Sequence, residues 1–318
     1  VKSIEVHINF TDNLRNAKII IMHAGSGVHI AISQISLPLC FGLTGFWPVF
    51  QSRHDAEMRQ VTHDEDVSAL VAALHSGIAG ALGAHLIGLY LEGSLANGGF
   101  DRDSDVDFVV VVDQAITPQQ FDALCAMHER LSRLPLWCAT QLEGSYVPAS
   151  FMRRHDPADI TYPNIERGMG ERLKWTAHDA SWDVHRHILR ERGIVVAGPP
   201  PKTLIDPVPA ESLRNAALTA LRDWAVPMLD APARIASRGY QSFIVLSLCR
   251  ILFTLQAGEV NSKQDAAAWM VARQTMWTPL VQRALVSRST PDLPMADEDL
   301  AGTLAFIRFA AAEAGISP

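Results

Sequence analysis

The chain has 318 residues, a formal net charge of −7 and a pI of about 5.9, so it carries no general basic character for binding nucleic acid. With 48% hydrophobic residues and a mean hydropathy of +0.09 it can bury a core, which excludes a disordered chain, and its length allows two domains. Four scattered cysteines (Cys40, Cys125, Cys138, Cys249), with no C-x-x-C pair, argue against a disulfide framework or a zinc site and fit a reducing, cytoplasmic compartment.

Residues 1–57 differ from the rest. No Asp, Glu, Lys or Arg occurs from Ile19 to Ser52, and Gly25, Gly27, Pro38, Gly42, Gly45 and Pro48 interrupt the apolar patches. Ile30 to Phe50 is just long enough to span a membrane, but Ser33, Gln34, Ser36 and the two prolines break the run, so no membrane role is expected. The segment reads as an atypical extension, and Met58 is an alternative start for the chain.

From Asp64 to Leu82, Val67, Leu70, Val71, Leu74 and Ile78 recur at helical spacing, with acids in the first turn. Leu86 to Leu91 is an apolar run of strand length that Gly93-Ser94 ends. A loop with Asn97-Gly98-Gly99 follows, then Asp103-Ser104-Asp105-Val106-Asp107 and the β-branched run Phe108 to Val112, a buried strand.

Asp105 and Asp107, at i and i+2 on a strand, place both carboxylates on one face. Adjacent carboxylates repel unless a cation lies between them, and Mg²⁺ takes oxygen ligands that it shares with substrate phosphates. The Gly93-Ser94 turn offers backbone N–H groups and a hydroxyl to phosphate oxygens. Asp101 and Asp103 read as loop acids. A solvated, acid-rich hairpin is the bland alternative, and the ordered set of strand, Gly-Ser, Asp-x-Asp and second strand weighs against it.

Gly93-Ser94-x10-Asp105-x-Asp107 resembles the signature of polymerase-β-like nucleotidyltransferases, and its surroundings resemble the aminoglycoside adenylyltransferases that modify streptomycin and spectinomycin. The fold this implies is α+β: a mixed-sheet nucleotidyltransferase domain over 58–209, then an all-α helical domain over 210–318. The implied reaction is Mg²⁺-dependent transfer of AMP from ATP to a hydroxyl of a small acceptor.

Further along, Thr117-Pro118-Gln119-Gln120 opens a helix to about Leu134, and Pro135 to Pro148 reads as a third strand. Glu143 is the lone acid of that strand. An edge glutamate facing water is one reading; the resemblance makes it a third carboxylate, acting as general base, metal ligand or both. Tyr162-Pro163, Gly170-Glu171 and Trp175 resemble the segment whose tryptophan lies against the aminoglycoside, so Trp175 is a candidate acceptor residue, with Trp182 as local competitor and a plain core aromatic as the alternative. His185 and His187 do not share a helix face, which argues against zinc; that helix, Trp182 to Arg192, stops at Gly193 as a C′ residue. Ile194 to Ala197 is a short strand, and Gly198-Pro199-Pro200-Pro201 with Asp206-Pro207-Val208-Pro209 forms the connector.

Beyond it, helices are expected over Ser212–Trp224, Gln241–Leu255, from an N-cap at Ser262, over Thr278–Ser287 and over Glu298–Ala312. Arg250 lies on an apolar helix and Lys263 at a helix start, both unfavourable for a cation without a partner. An internal ion pair and a solvated lysine are the structural readings; the resemblance assigns both to the ATP phosphates. The family's drug-binding acids have no counterpart at Arg238-Gly239-Tyr240-Gln241, and its nucleotide-contacting tyrosine has none, Arg288 falling near that place. An adenylyltransferase for a protein or another metabolite is therefore the alternative, and a catalytically silent nucleotide-binding regulator a further one. No G-x-G-x-x-G follows a first strand, which disfavours a dinucleotide-dependent oxidoreductase.

Overall fold

In the computed structural model the described residues are 3–9, 16–24, 27–35, 62, 64–102, 104–154, 161–166, 172–179, 181–235, 237–288, 294 and 296–316. They fall into two compact units, within residues 1–56 and 57–318. In the first, β1 (Ser3–Asn9), β2 (Asn16–Ala24) and β3 (Gly27–Ile35) form an antiparallel sheet in the order β1-β2-β3, where the sequence reading assigned no strands. Residues 36–50 of the apolar run lie outside the described set.

The second unit opens with α1 (Glu65–Leu82). Asp64 caps it, accepting from the N–H groups of Asp66 and Val67. A six-stranded mixed sheet follows, in the order β8-β7-β6-β5-β4-β9. Its strands are β4 (Leu86–Leu91), β5 (Val106–Val112), β6 (Leu142–Pro148), β7 (Thr161–Ile165), β8 (Lys174–Ala177) and β9 (Ile194–Ala197). All neighbours are antiparallel except β5 and β6, whose parallel pairing needs the crossover helix α2 (Pro118–Leu131). Thr117 and Gln120 close a capping box at its start, with Pro118 at N1.

Period-two alternation sorts the strands onto two faces. Phe108, Val110 and Tyr146 pack with Leu70, Leu74, Ile78 and Leu124 under α1 and α2. Tyr90, Val109, Val111 and Val147 pack on the other face with Phe151, Tyr162, Trp182 and Leu189. The latter face is covered by α3 (Trp182–Arg192), which ends at Gly193 with φ −56°, so this glycine is no left-handed C′ residue.

The expected strand from Pro135 begins only at Leu142. Residues before it turn instead, and the Trp137 indole N–H reaches the Asp64 carboxylate at 3.3 Å. Glu143 lies on an interior strand, not an edge.

The helical region packs around α4 (Ala210–Ala220), α5 (Arg238–Ala257), α6 (Lys263–Arg273), α7 (Thr278–Ser287) and α8 (Asp297–Glu313), with Ile244, Leu248, Leu252, Met270, Val281, Phe306 and Ile307 in its core. After α4 the chain continues as one π-type turn over Leu221–Ala225. Ser237 caps α5, which closes on Gly258 at φ +70°, and Ser262 caps α6. Helix α5 and the span Glu65–His85 are long and apolar enough to cross a membrane, but both bury one side in these cores.

Candidate active site

Three strands bring the acids together. Leu91 pairs with Phe108, and the next pair outward is closed by the Glu92 N–H donating to the Asp107 carbonyl at 3.1 Å. Asp107 pairs with Glu143 across β5 and β6. Glu92, Asp107 and Glu143 therefore stand in one row across the sheet. Alternation from Tyr90, Val109 and Ser145 puts all of them on the same face, about 5 Å apart strand to strand, with Asp105 two residues before Asp107.

Like charges in register cost free energy, and they favour the protonated carboxyl. Burial first, then Glu143, Glu92 and Asp105, hold the Asp107 carboxyl well above its usual range. Burial, with Asp105, Glu166 and Glu92, raises Glu143 to about 7 against the pull of His185. Burial alone would lower His185, but Glu92, Asp107 and Glu143 outweigh it and raise its pKa.

Gly93 occupies the tight point of the site. Its φ is +59°, and a Cβ there would collide with the Asp107 carboxylate. The Ser94 hydroxyl beside it is buried without a hydrogen-bond partner. The loop behind this turn is held from three sides. Arg192 donates to Asn97 Oδ1 at 2.9 Å, Gln264 lies against Gly99, and Arg288 donates to Asp101 Oδ2 at 3.0 Å and to Ser104 Oγ at 3.3 Å. Asp103 lies outside the described residues.

The helical region turns its cations toward these acids. Burial lowers the Arg250 pKa while Asp107 and Glu92 oppose the shift. Burial, with Arg250 and Arg288 nearby, brings Lys263 down to about 8 against the attraction of Asp107 and Asp105. The Lys263 ammonium sits 4.6 Å from the centre of the Phe243 ring, which stacks on Tyr240.

Of the residues singled out in the sequence, the structure thus brings together Gly93, Ser94, Asp105, Asp107, Glu143, Arg250 and Lys263. It does not bring Trp175 to them. That indole stacks on Phe121 of α2, with ring centres 5.3 Å apart, on the sheet face opposite the carboxylates. Trp182 lies on the carboxylate face, 4.9 Å from the His185 ring. Gly170 and Glu171 lie outside the described residues.

Sequence reasoning missed Glu92 and His185. Glu92 is 5% exposed; its Oε1 is 2.7 Å from His185 Nδ1, and its Oε2 is buried without a partner. The signal was available: an acid continuing the alternation of a buried strand past Tyr90 must share that residue's face.

Hard oxygen donors of this kind suit Mg²⁺, and the buried, unpartnered Glu92 Oε2 and Ser94 hydroxyl call for a cation and an anion respectively. Among the described residues, no group of three His, Cys, Asp or Glu side chains is spaced to hold an ion. By chemistry the donor set fits the metal.

Residues 79–149 match the model of the Nucleotidyltransferase domain, and residues 203–312 that of the Aminoglycoside adenylyltransferase, C-terminal domain. The chain is a nucleotidyltransferase. Within that class it resembles the aminoglycoside (streptomycin 3''/spectinomycin 9) adenylyltransferase family.

Spectinomycin 9-adenylyltransferase of Staphylococcus aureus is 25% identical over 59% of this chain and 72% of its own. Aminoglycoside (3'') (9) adenylyltransferase of Klebsiella pneumoniae is 27% identical over 69% of this chain and 86% of its own. The fold is shared with the spectinomycin adenyltransferase of Enterococcus faecialis, solved with ATP and spectinomycin. Its TM-score is 0.61 at 16% identity, over 77% of this chain and 98% of that one.

Proposed function

We propose that the chain moves AMP from ATP to a hydroxyl of a small, cationic acceptor of aminoglycoside type, as an antibiotic-resistance enzyme of the cytoplasm. The observation that carries this reading is Asp107 paired with Glu143 beside the Gly93-Ser94 turn, with Arg250 and Lys263 facing them. The names of the relatives from Staphylococcus aureus and Klebsiella pneumoniae supply the acceptor class.

In this mechanism Gly93 lets the turn pack closely against the Asp107 carboxylate, and the Ser94 hydroxyl donates to a phosphate oxygen. Arg250 and Lys263 hold the β- and γ-phosphates, and Lys263 at about 8 keeps most of its charge at neutral pH. Asp105, Asp107 and Glu143 would hold Mg²⁺, which when bound offsets charge on the attacking and leaving oxygens. Glu143, at about 7, is matched to taking the acceptor's proton near neutral pH. The acceptor O–H bond breaks toward Glu143, its oxygen bonds to the α-phosphorus, and the bond to the β-phosphate oxygen breaks. The products are an AMP ester and pyrophosphate.

A second reading keeps the chemistry and changes the acceptor to a protein or another metabolite. It is favoured by the start of α5, which offers Arg238, Tyr240 and the half-exposed Phe243 but no acid. The test is incubation with ATP, Mg²⁺ and a panel including streptomycin and spectinomycin, read by pyrophosphate release and product mass. A drug one AMP heavier is the expected result, abolished by Asp107→Asn. AMP on a lysate protein, with no drug adduct, supports the second reading. Full activity in Asp107→Asn overturns the mechanism, and bound ATP with no transfer to any acceptor indicates a silent regulator.

A further inference from the structure

The row of carboxylates is longer than the three acids used above. Glu92 stands opposite Asp107 on the flank away from Glu143, so Asp107 has a carboxylate neighbour on each side. Arg250 and His185 answer part of this charge. His185 on α3 engages only Oε1 of Glu92, at 2.7 Å. The other oxygen is buried and has no partner, a costly state for a carboxylate on a closely packed sheet face. A carboxylate fixed through one oxygen and free at the other is the usual arrangement of a metal ligand oriented from behind.

We propose that Glu92, held in place by His185, is a further carboxylate ligand for divalent cation on the side of Asp107 opposite Glu143. The inference rests on the reading of Asp105, Asp107 and Glu143 as metal-binding. Glu92 is the ligand, and His185 is a positioning residue that acts through it.

The test is Mn²⁺ binding to the full chain, followed by the electron paramagnetic resonance of free Mn²⁺, with and without a non-hydrolysable ATP analogue. Wild type is expected to bind Mn²⁺, and Asp107→Asn to lose it. Glu92→Gln is expected to raise the Mn²⁺ Kd or remove an ion from the stoichiometry, by about 10- to 100-fold in affinity; His185→Gln should cost about tenfold. Glu211→Gln, on the exposed side of α4, serves as the control and leaves binding unchanged. A folded Glu92→Gln protein with wild-type Mn²⁺ affinity and stoichiometry overturns the proposal and leaves the metal reading intact. Absence of Mn²⁺ binding in wild type overturns the metal reading itself. If Glu92→Gln does not fold, His185→Gln decides: unchanged affinity overturns the proposal, and weakened affinity at an unchanged Tm supports it.

Discussion

Single residues at this site are set by what lies one bond away from them. Gly93 has φ +59° and no room for a Cβ beside Asp107. Gly93→Ala should therefore cost about 1–3 kcal/mol in chemical denaturation and remove adenylyl transfer, because the new methyl group displaces the carboxylate. Glu143 gives a pH prediction with a definite sign. Its folded pKa, raised to about 7, means that the folded state holds this proton while the unfolded chain, near 4.5, releases it. Metal-free stability should then fall as pH rises from about 4.5 to 7. Thermal unfolding across that window should show a shallower slope in Glu143→Gln than in wild type. Asp105, Asp107 and the Gly-Ser turn could be read from order and spacing alone. The pairing of Glu92 with His185 could not, because the two meet only when α3 lies across the sheet, 93 positions from one to the other.

Among the elements, the sequence was most informative where a local rule sets a boundary. Thr117 and Ser262 each begin a helix through a cap that needs only nearby residues. Ser262→Ala should lower stability by about 1 kcal/mol, measured by urea denaturation, since its hydroxyl accepts from the Asp265 N–H. Boundaries set by distant partners were harder to see. The apolar residues before Leu142 have strand-like composition, but Trp137 is drawn to Asp64 and the chain turns. Strand β7 carries Pro163, which weakens any strand signal, yet it is held between β6 and β8. Trp175 was singled out by resemblance in its segment. Its place on the opposite sheet face depends on the register of β8 against β7, where it pairs with Pro163.

At the scale of the molecule, the sheet and the helical region meet at the loop between Gly93-Ser94 and Asp105. Arg288, at the end of α7, ties that loop down through Asp101 and Ser104. Partly exposed ion pairs add little to global stability. Arg288→Ala should therefore leave Tm within a few degrees of wild type while raising the KM for ATP, because the loop it holds joins Gly93-Ser94 to Asp105. Steady-state kinetics beside a thermal melt separate the two effects.

The parallel pairing of β5 with β6 has a consequence for the order in which the enzyme is made. Glu92 and Asp107 belong to antiparallel neighbours joined by a short connection, so they can meet early. Asp107 and Glu143 become neighbours only after residues 113–141, including α2, have looped across one face. That closure costs chain entropy before any new strand contact repays it. The base should thus be the last of the row to arrive. A refolding chain would pass through a stage that holds nucleotide-facing groups but cannot yet deprotonate an acceptor, and recovery of activity should lag behind recovery of the β4–β5 pair.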